Sequence, residues 1–120
     1  MKSTEAIAAL SALAQETRLD IFRLLVQAGV GGLPAGEIGE RLDIASPTLS
    51  FHLAQLKHAG LVSHRRVGRS IIYGANYPAM NGLLAYLTEN CCQGQRAACG
   101  VGAGAPAAAR PARSSKRRSA

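Results

Sequence analysis

The run Ser46-Pro47-Thr48-Leu49-Ser50-Phe51-His52-Leu53-Ala54-Gln55-Leu56-Lys57-His58-Ala59-Gly60 decides the fold of this 120-residue chain. Ser46 offers a hydroxyl cap, and Pro47 suits a first helical turn, where a missing N–H costs nothing. Leu49, Leu53 and Leu56 recur at i, i+4 and i+7, one stripe of a helix that Gly60 closes. With the leucines turned inward, Pro47, Thr48, Ser50, Phe51, Gln55 and His58 are left on the outer and flanking surfaces. Short hydroxyls near a helix start can approach phosphates and base edges closely. Gln can bond adenine bidentately, and contact with a thymine methyl would account for an exposed Phe51. Ser46 and His52 complete the candidate DNA-reading set on this helix.

Beyond Gly60 the pattern changes to that of strands. Leu61–Val67 and Ser70–Ala75 read as two short strands, with Val67-Gly68-Arg69 as the turn of a hairpin. Arg65, Arg66 and Arg69 bracket that turn, where arginines reach phosphates or a narrow minor groove. On the other side, Pro34 suits the start of a helix over about Ala35–Leu42, and Asp43-Ile44-Ala45 is a short connector. Before it, Glu16–Ala28 is patterned by Leu19, Phe22, Leu25 and Val26 and closed by Gly29. A first helix runs from a Thr4 cap to about Ala14 with Ile7, Leu10 and Leu13 along one face. A last one runs from Pro78 to about Asn90 with Met80, Leu83, Leu84 and Leu87 as its apolar stripe. Helix, connector, helix and hairpin in that order predict a winged helix-turn-helix: mainly α, five helices and two strands, over residues 1–90.

The bulk charge says less than it first promises. The net charge is +7, yet residues 1–90 hold eight Lys or Arg against all seven acids, and the remaining six cations lie beyond residue 95. Apart from Val101, residues 100–120 are Gly, Ala, Pro, Ser and basic residues, a composition too poor in apolar bulk to fold, so a disordered basic tail is expected. No run approaches the ~18 apolar residues of a membrane span. A soluble, cytoplasmic protein follows, and a domain this small is expected to pair as a homodimer. No hydrolytic triad or phosphate-binding glycine loop marks an enzyme. A phosphatase-like arsenate reductase needs Cys-x5-Arg, and the spacing from Cys91 to Arg96 is one residue short of it.

The run from Ser46 to Val62, then Arg66-Val67-Gly68-Arg69 and Ile72-Tyr73, resembles the ArsR/SmtB family of metal-sensing repressors. Glu16-Thr17-Arg18-Leu19-Asp20-Ile21-Phe22-Arg23-Leu24-Leu25 resembles the second helix of that family, and the likeness covers roughly residues 4–90. It implies a homodimer formed through the first and last helices, which binds near-palindromic double-stranded operator DNA and is released when a ligand binds. No cofactor is required for the DNA binding itself.

Two metal sites common in that family have no residues here. The third helix carries no Cys-x-Cys, and Pro78–Asn90 contains neither His nor Asp. What remains is Cys91-Cys92 with Cys99, all the cysteine the chain has. A vicinal pair closes into a disulfide only through a strained ring, so it suits a soft ion better than a structural bridge. A third thiol completes the pyramidal three-sulfur geometry that trivalent arsenic and antimony prefer. The segment 91–99 is therefore the expected metalloid site, with arsenite as inducer and antimonite or methylarsenite as further candidates. The stretch from Leu87 to Cys92 also resembles arsenic repressors whose site ends the last helix. The alternatives are a thiol-redox-sensing repressor of the same fold and a cytosolic metalloid carrier, which would leave the reading head unexplained.

Overall fold

The computed structural model describes residues 1–94, and its element order is α1 (Ser3–Leu13), α2 (Glu16–Ala28), β1 (Leu33–Pro34), α3 (Ala35–Leu42), α4 (Ser46–His58), β2 (Val62–Val67), β3 (Ser70–Ala75) and α5 (Tyr77–Leu87). The chain divides into two compact units, Met1–Leu83 and Leu84–Ala120. In the first, Ile21, Leu25, Ile38, Leu53, Leu56 and Leu61 are fully buried, joined by Leu49, Phe22 and Val62. Each such side chain is worth about 1.5–3 kcal/mol of transfer free energy. One helix face from each of α2, α3 and α4 is thereby committed to a shared core.

The helix starts differ from those expected. Lys2 rather than Thr4 is the N-cap of α1, where the Lys2 N–H donates to Glu5 Oε1 at 2.8 Å, and Ala45 rather than Ser46 is that of α4, with no side-chain cap bond. The last helix ends at Leu87, and a short 3-10 turn follows at Cys91–Gly94. The inward face of α1 is also another one than the sequence led us to expect. Ala6, Ala9 and Ala12 are buried while Ile7 is 62% and Leu10 43% exposed. Small residues let α1 approach the bundle closely, and the larger ones a hundred degrees round the helix are left outside.

The helix-turn-helix corner is tight for a stated reason. Asp43 ends α3 in the left-handed region (φ 56°), and the Ile44 N–H donates to Gly39 O at 2.9 Å. A Cβ on Gly39 would stand 3.1 Å from the Ile44 carbonyl oxygen.

The sheet has three antiparallel strands in the order β1-β3-β2, one more than the hairpin expected. In the hairpin Val62 pairs with Ala75 and Val67 with Ser70, leaving Gly68-Arg69 as a two-residue loop with Gly68 at φ 63°. Such a loop fits the twist of the strands it joins. The third strand is only Leu33 and Pro34, set against Tyr73 and Ile72. Gly32 admits it, because at φ 72° its missing Cβ would lie 2.4 Å from the Tyr73 carbonyl oxygen.

Gly32→Ala is therefore expected to cost about 1–3 kcal/mol, from left-handed backbone and the blocked approach. Gly31→Ala, with nothing within 4 Å of the added atom, is expected to be close to neutral. Paired thermal melts of the two variants check this.

Candidate nucleic-acid interface

Helix α4 carries two chemistries on opposite sides. Leu49, Leu53 and Leu56 are buried, whereas Ser46, Pro47, Thr48, Ser50, Phe51 and Gln55 are all exposed. Thr48, Phe51 and Gln55 are spaced i, i+3 and i+7, so they share one stripe of the outer face. Phe51 is 57% exposed on this otherwise polar surface. No acidic residue stands between Asp43 and Glu89, while Lys57, Arg65, Arg66 and Arg69 all lie in that interval.

His52 does not belong to this face. It is buried, 8% exposed, and its Nδ1 stands 3.2 Å from Arg18 Nη1. A guanidinium only donates, so Nδ1 accepts and the ring proton sits on Nε2. Burial, and then the Arg18 charge, hold the His52 pKa below its ordinary value of 6.5. Spacing carried the signal for this: residue 52 is three past Leu49 and four before Leu56, on the leucine side of the helix.

Several positioning residues have no motif to announce them. Arg18 also donates through Nε to Ala12 O at 2.8 Å, and its backbone N–H is capped by Gln15 Oε1 at 2.8 Å. Asn76 donates through Nδ2 to Gly60 O at 2.9 Å and accepts from the Ala79 N–H at 3.2 Å. It thereby caps α5 and ties it to the end of α4. The Tyr77 hydroxyl donates to Val26 O at 2.8 Å near the end of α2.

In the hairpin, alternation sends Arg65 and Arg66 to opposite faces. Arg65 is tied back, its Nη2 donating to Gly31 O at 3.1 Å, and Arg69 occupies the turn itself. Arg66 shares a face with His64, whose ring stacks on Tyr73 with centroids 5.6 Å apart.

The cysteines belong to the second unit. Cys91 is half-buried and Cys92 exposed in the turn after α5, where Asn90, Cys92, Gln93 and Gly94 all have positive φ. Cys99, Arg96 and the basic tail lie outside the described residues.

A helix-turn-helix domain family matches residues 13–65. The transcriptional activator HlyU of Vibrio cholerae is 32% identical over 91 residues, covering 76% of this chain and 82% of HlyU. The chain belongs to the ArsR/SmtB family of transcriptional regulators. Members are regulators rather than enzymes. The solved structure of reduced HlyU matches with a TM-score of 0.57 at 34% identity, covering 71% of this chain and 90% of that one. The homodimeric winged helix-turn-helix domain of Mb0332 from Mycobacterium bovis has a TM-score of 0.60 at 27% identity, covering 71% and 77%. The arsenic resistance transcriptional regulator ArsR1 of Pseudomonas putida is 36% identical over 61 residues, which is 51% of this chain and 46% of ArsR1. Among the described residues no helix is long and apolar enough to cross a membrane.

The lowered His52 pKa has a sign. The unfolded chain takes up the proton more readily than the folded one, so stability is complete above about pH 6.5 and falls as the pH drops toward the folded value. His52→Asn, which keeps an acceptor and does not titrate, is expected to flatten that dependence in melts taken across this range.

Proposed function

We propose that the chain is a repressor that binds double-stranded operator DNA as a homodimer and leaves it when trivalent arsenic binds Cys91, Cys92 and Cys99. The observation that carries the DNA reading is the outer face of α4: Ser46, Pro47, Thr48, Ser50, Phe51 and Gln55 are exposed on a helix whose opposite side is locked into the core. Such a helix can enter a major groove without costing the fold anything, while Arg66 and Arg69 of the wing reach the backbone. Arg65, on the other face of the hairpin, has part of its donor capacity already committed to Gly31.

Pairing is supported by large apolar residues left outside on both terminal helices, Ile7 and Leu10 on α1 and Leu84 and Leu87 on α5. It is further supported by the homodimeric state of the Mb0332 domain. Two-fold pairing would set the reading helices about 34 Å apart, one turn of DNA. The protein would work in the cytoplasm, where its operator is.

The inducer reading rests on thiol chemistry. Adjacent cysteines after the last helix, with a third seven residues on, form a soft donor set suited to a pyramidal trivalent metalloid. Arsenite, antimonite and methylarsenite all fit that chemistry. The name of ArsR1 agrees with it. A second reading is a thiol-redox switch on the same cysteines. HlyU favours it, being solved in a reduced form and matched over far more of its length than ArsR1.

Phe51→Ala and Gln55→Ala are each expected to lose about 1–3 kcal/mol of operator binding with unchanged melting temperature, read by mobility shift. Arg69→Ala is expected to weaken binding on all sequences and to lower the salt slope by about 0.9 for each phosphate it no longer neutralises. Arsenite is expected to release the wild type and not the Cys91→Ser, Cys92→Ser double variant. Release of that variant by arsenite would sink the site. Release of the wild type by peroxide but not by arsenite would establish the redox reading instead.

A further inference from the structure

We infer that Arg18 is a positioning residue for DNA reading: through His52 it fixes the rotation and height of α4, and protonation of His52 undoes that hold. The inference rests on the DNA-binding reading above and names a regulation of the same surface.

Arg18 touches three elements with one side chain and its own backbone. Its N–H meets Gln15 at the start of α2, its Nε meets Ala12 O in the last turn of α1, and its Nη1 meets His52 in the middle of α4. The Ala12 carbonyl is one of the helix-end acceptors that α1 cannot satisfy internally. The guanidinium is thus pinned at one end by α1 and offers the other to α4. Among the described residues no other side-chain hydrogen bond reaches Ser46–His58 itself, since the Asn76 bond meets Gly60, two residues past the end of α4.

That matters because the remaining hold on α4 is apolar. Leu49, Leu53 and Leu56 resist being pulled into water, but burial is non-directional and tolerates small rotations of the helix about its axis. A hydrogen bond at 3.2 Å does not, since it weakens steeply with angle and distance. His52 adjoins Phe51 in sequence, and their rings meet edge to face with centroids 5.6 Å apart. A rotation that breaks the Arg18 bond therefore also turns Phe51, and with it Gln55 one turn on.

Protonation supplies the break. A proton on Nδ1 removes the only acceptor that Arg18 has on α4 and leaves two cationic donors facing each other. The charge acting on His52 is that of Arg18. From α1 the guanidinium already holds the Ala12 carbonyl, and α4 itself contributes the Phe51 ring, with Lys57 and His58 exposed. The wing groups His64, Arg65 and Arg66 are also exposed.

The test uses the full chain and a duplex enriched by the wild-type protein from a random pool at about pH 7.5. Affinity is then measured at steps down to about pH 5.5, at a temperature where circular dichroism finds every variant folded. His52→Asn places an oxygen acceptor near the Nδ1 position and does not titrate. It is expected to bind close to wild type at the upper pH, while the wild type loses affinity several-fold relative to it as the pH falls. Arg18→Gln is expected to bind several-fold more weakly at the upper pH and to show no wild-type loss on acidification. A purely structural role would lower the melting temperatures and leave the affinities of the folded proteins and their pH trends alike. Parallel pH trends for wild type and His52→Asn overturn the inference while leaving the DNA reading intact. Failure of the wild type to enrich any duplex overturns both.

Discussion

The buried edge of α4 is the constraint on which the rest of the structure depends. Leu49, Leu53 and Leu56 are 4%, 1% and 0% exposed, so the helix proposed to read DNA is also a principal wall of the core. One face is spent on stability, and the opposite face is free to be polar without weakening the fold. The elements around α4 follow from holding that wall in place. The Gly39 approach seats α3 against it, the Asn76 side chain ties its end to α5, and Ile21 and Leu25 of α2 complete the packing. A reading helix built this way is rigid in translation away from the core and less so in rotation, and rotation is what Arg18 and His52 govern.

The same division of faces explains the terminal helices. Alanines at 6, 9 and 12 let α1 pack closely while exporting Ile7 and Leu10, and α5 buries Leu83 while exporting Leu84 and Leu87. A small domain that leaves this much apolar surface outside gains by covering it. In a family with homodimeric members, a second copy is the natural cover. The proposed pairing helix and reading helix are then linked physically, because the last turn of α1 holds the carbonyl that Arg18 grips.

Much of this was legible in the sequence. Leucine spacing gave α4 its inward side, the sequence alone bounded α2, α3 and β3, and Gly68 marked the wing turn. These are local signals, set by helical period, caps and backbone freedom, and they survive folding because the tertiary structure agrees with them. The polar outer residues of α4 were found by subtraction once the inward stripe was known, and only His52 was assigned to the wrong side. It lay on the leucine stripe, but a histidine reads as polar until a buried partner is known.

What the sequence by itself determined is the identity and order of the five helices and the hairpin, the polar outward side of α4, and the confinement of cysteine to the end of the chain. Only the tertiary structure decided which side of α1 faces inward, that Leu33-Pro34 joins the sheet, that Arg65 is partly occupied by Gly31, and that His52 accepts from Arg18. The physical reason is common to all four. Each depends on contacts between residues far apart in the chain, as with Arg18 and His52, and no local period encodes a partner thirty-four residues away.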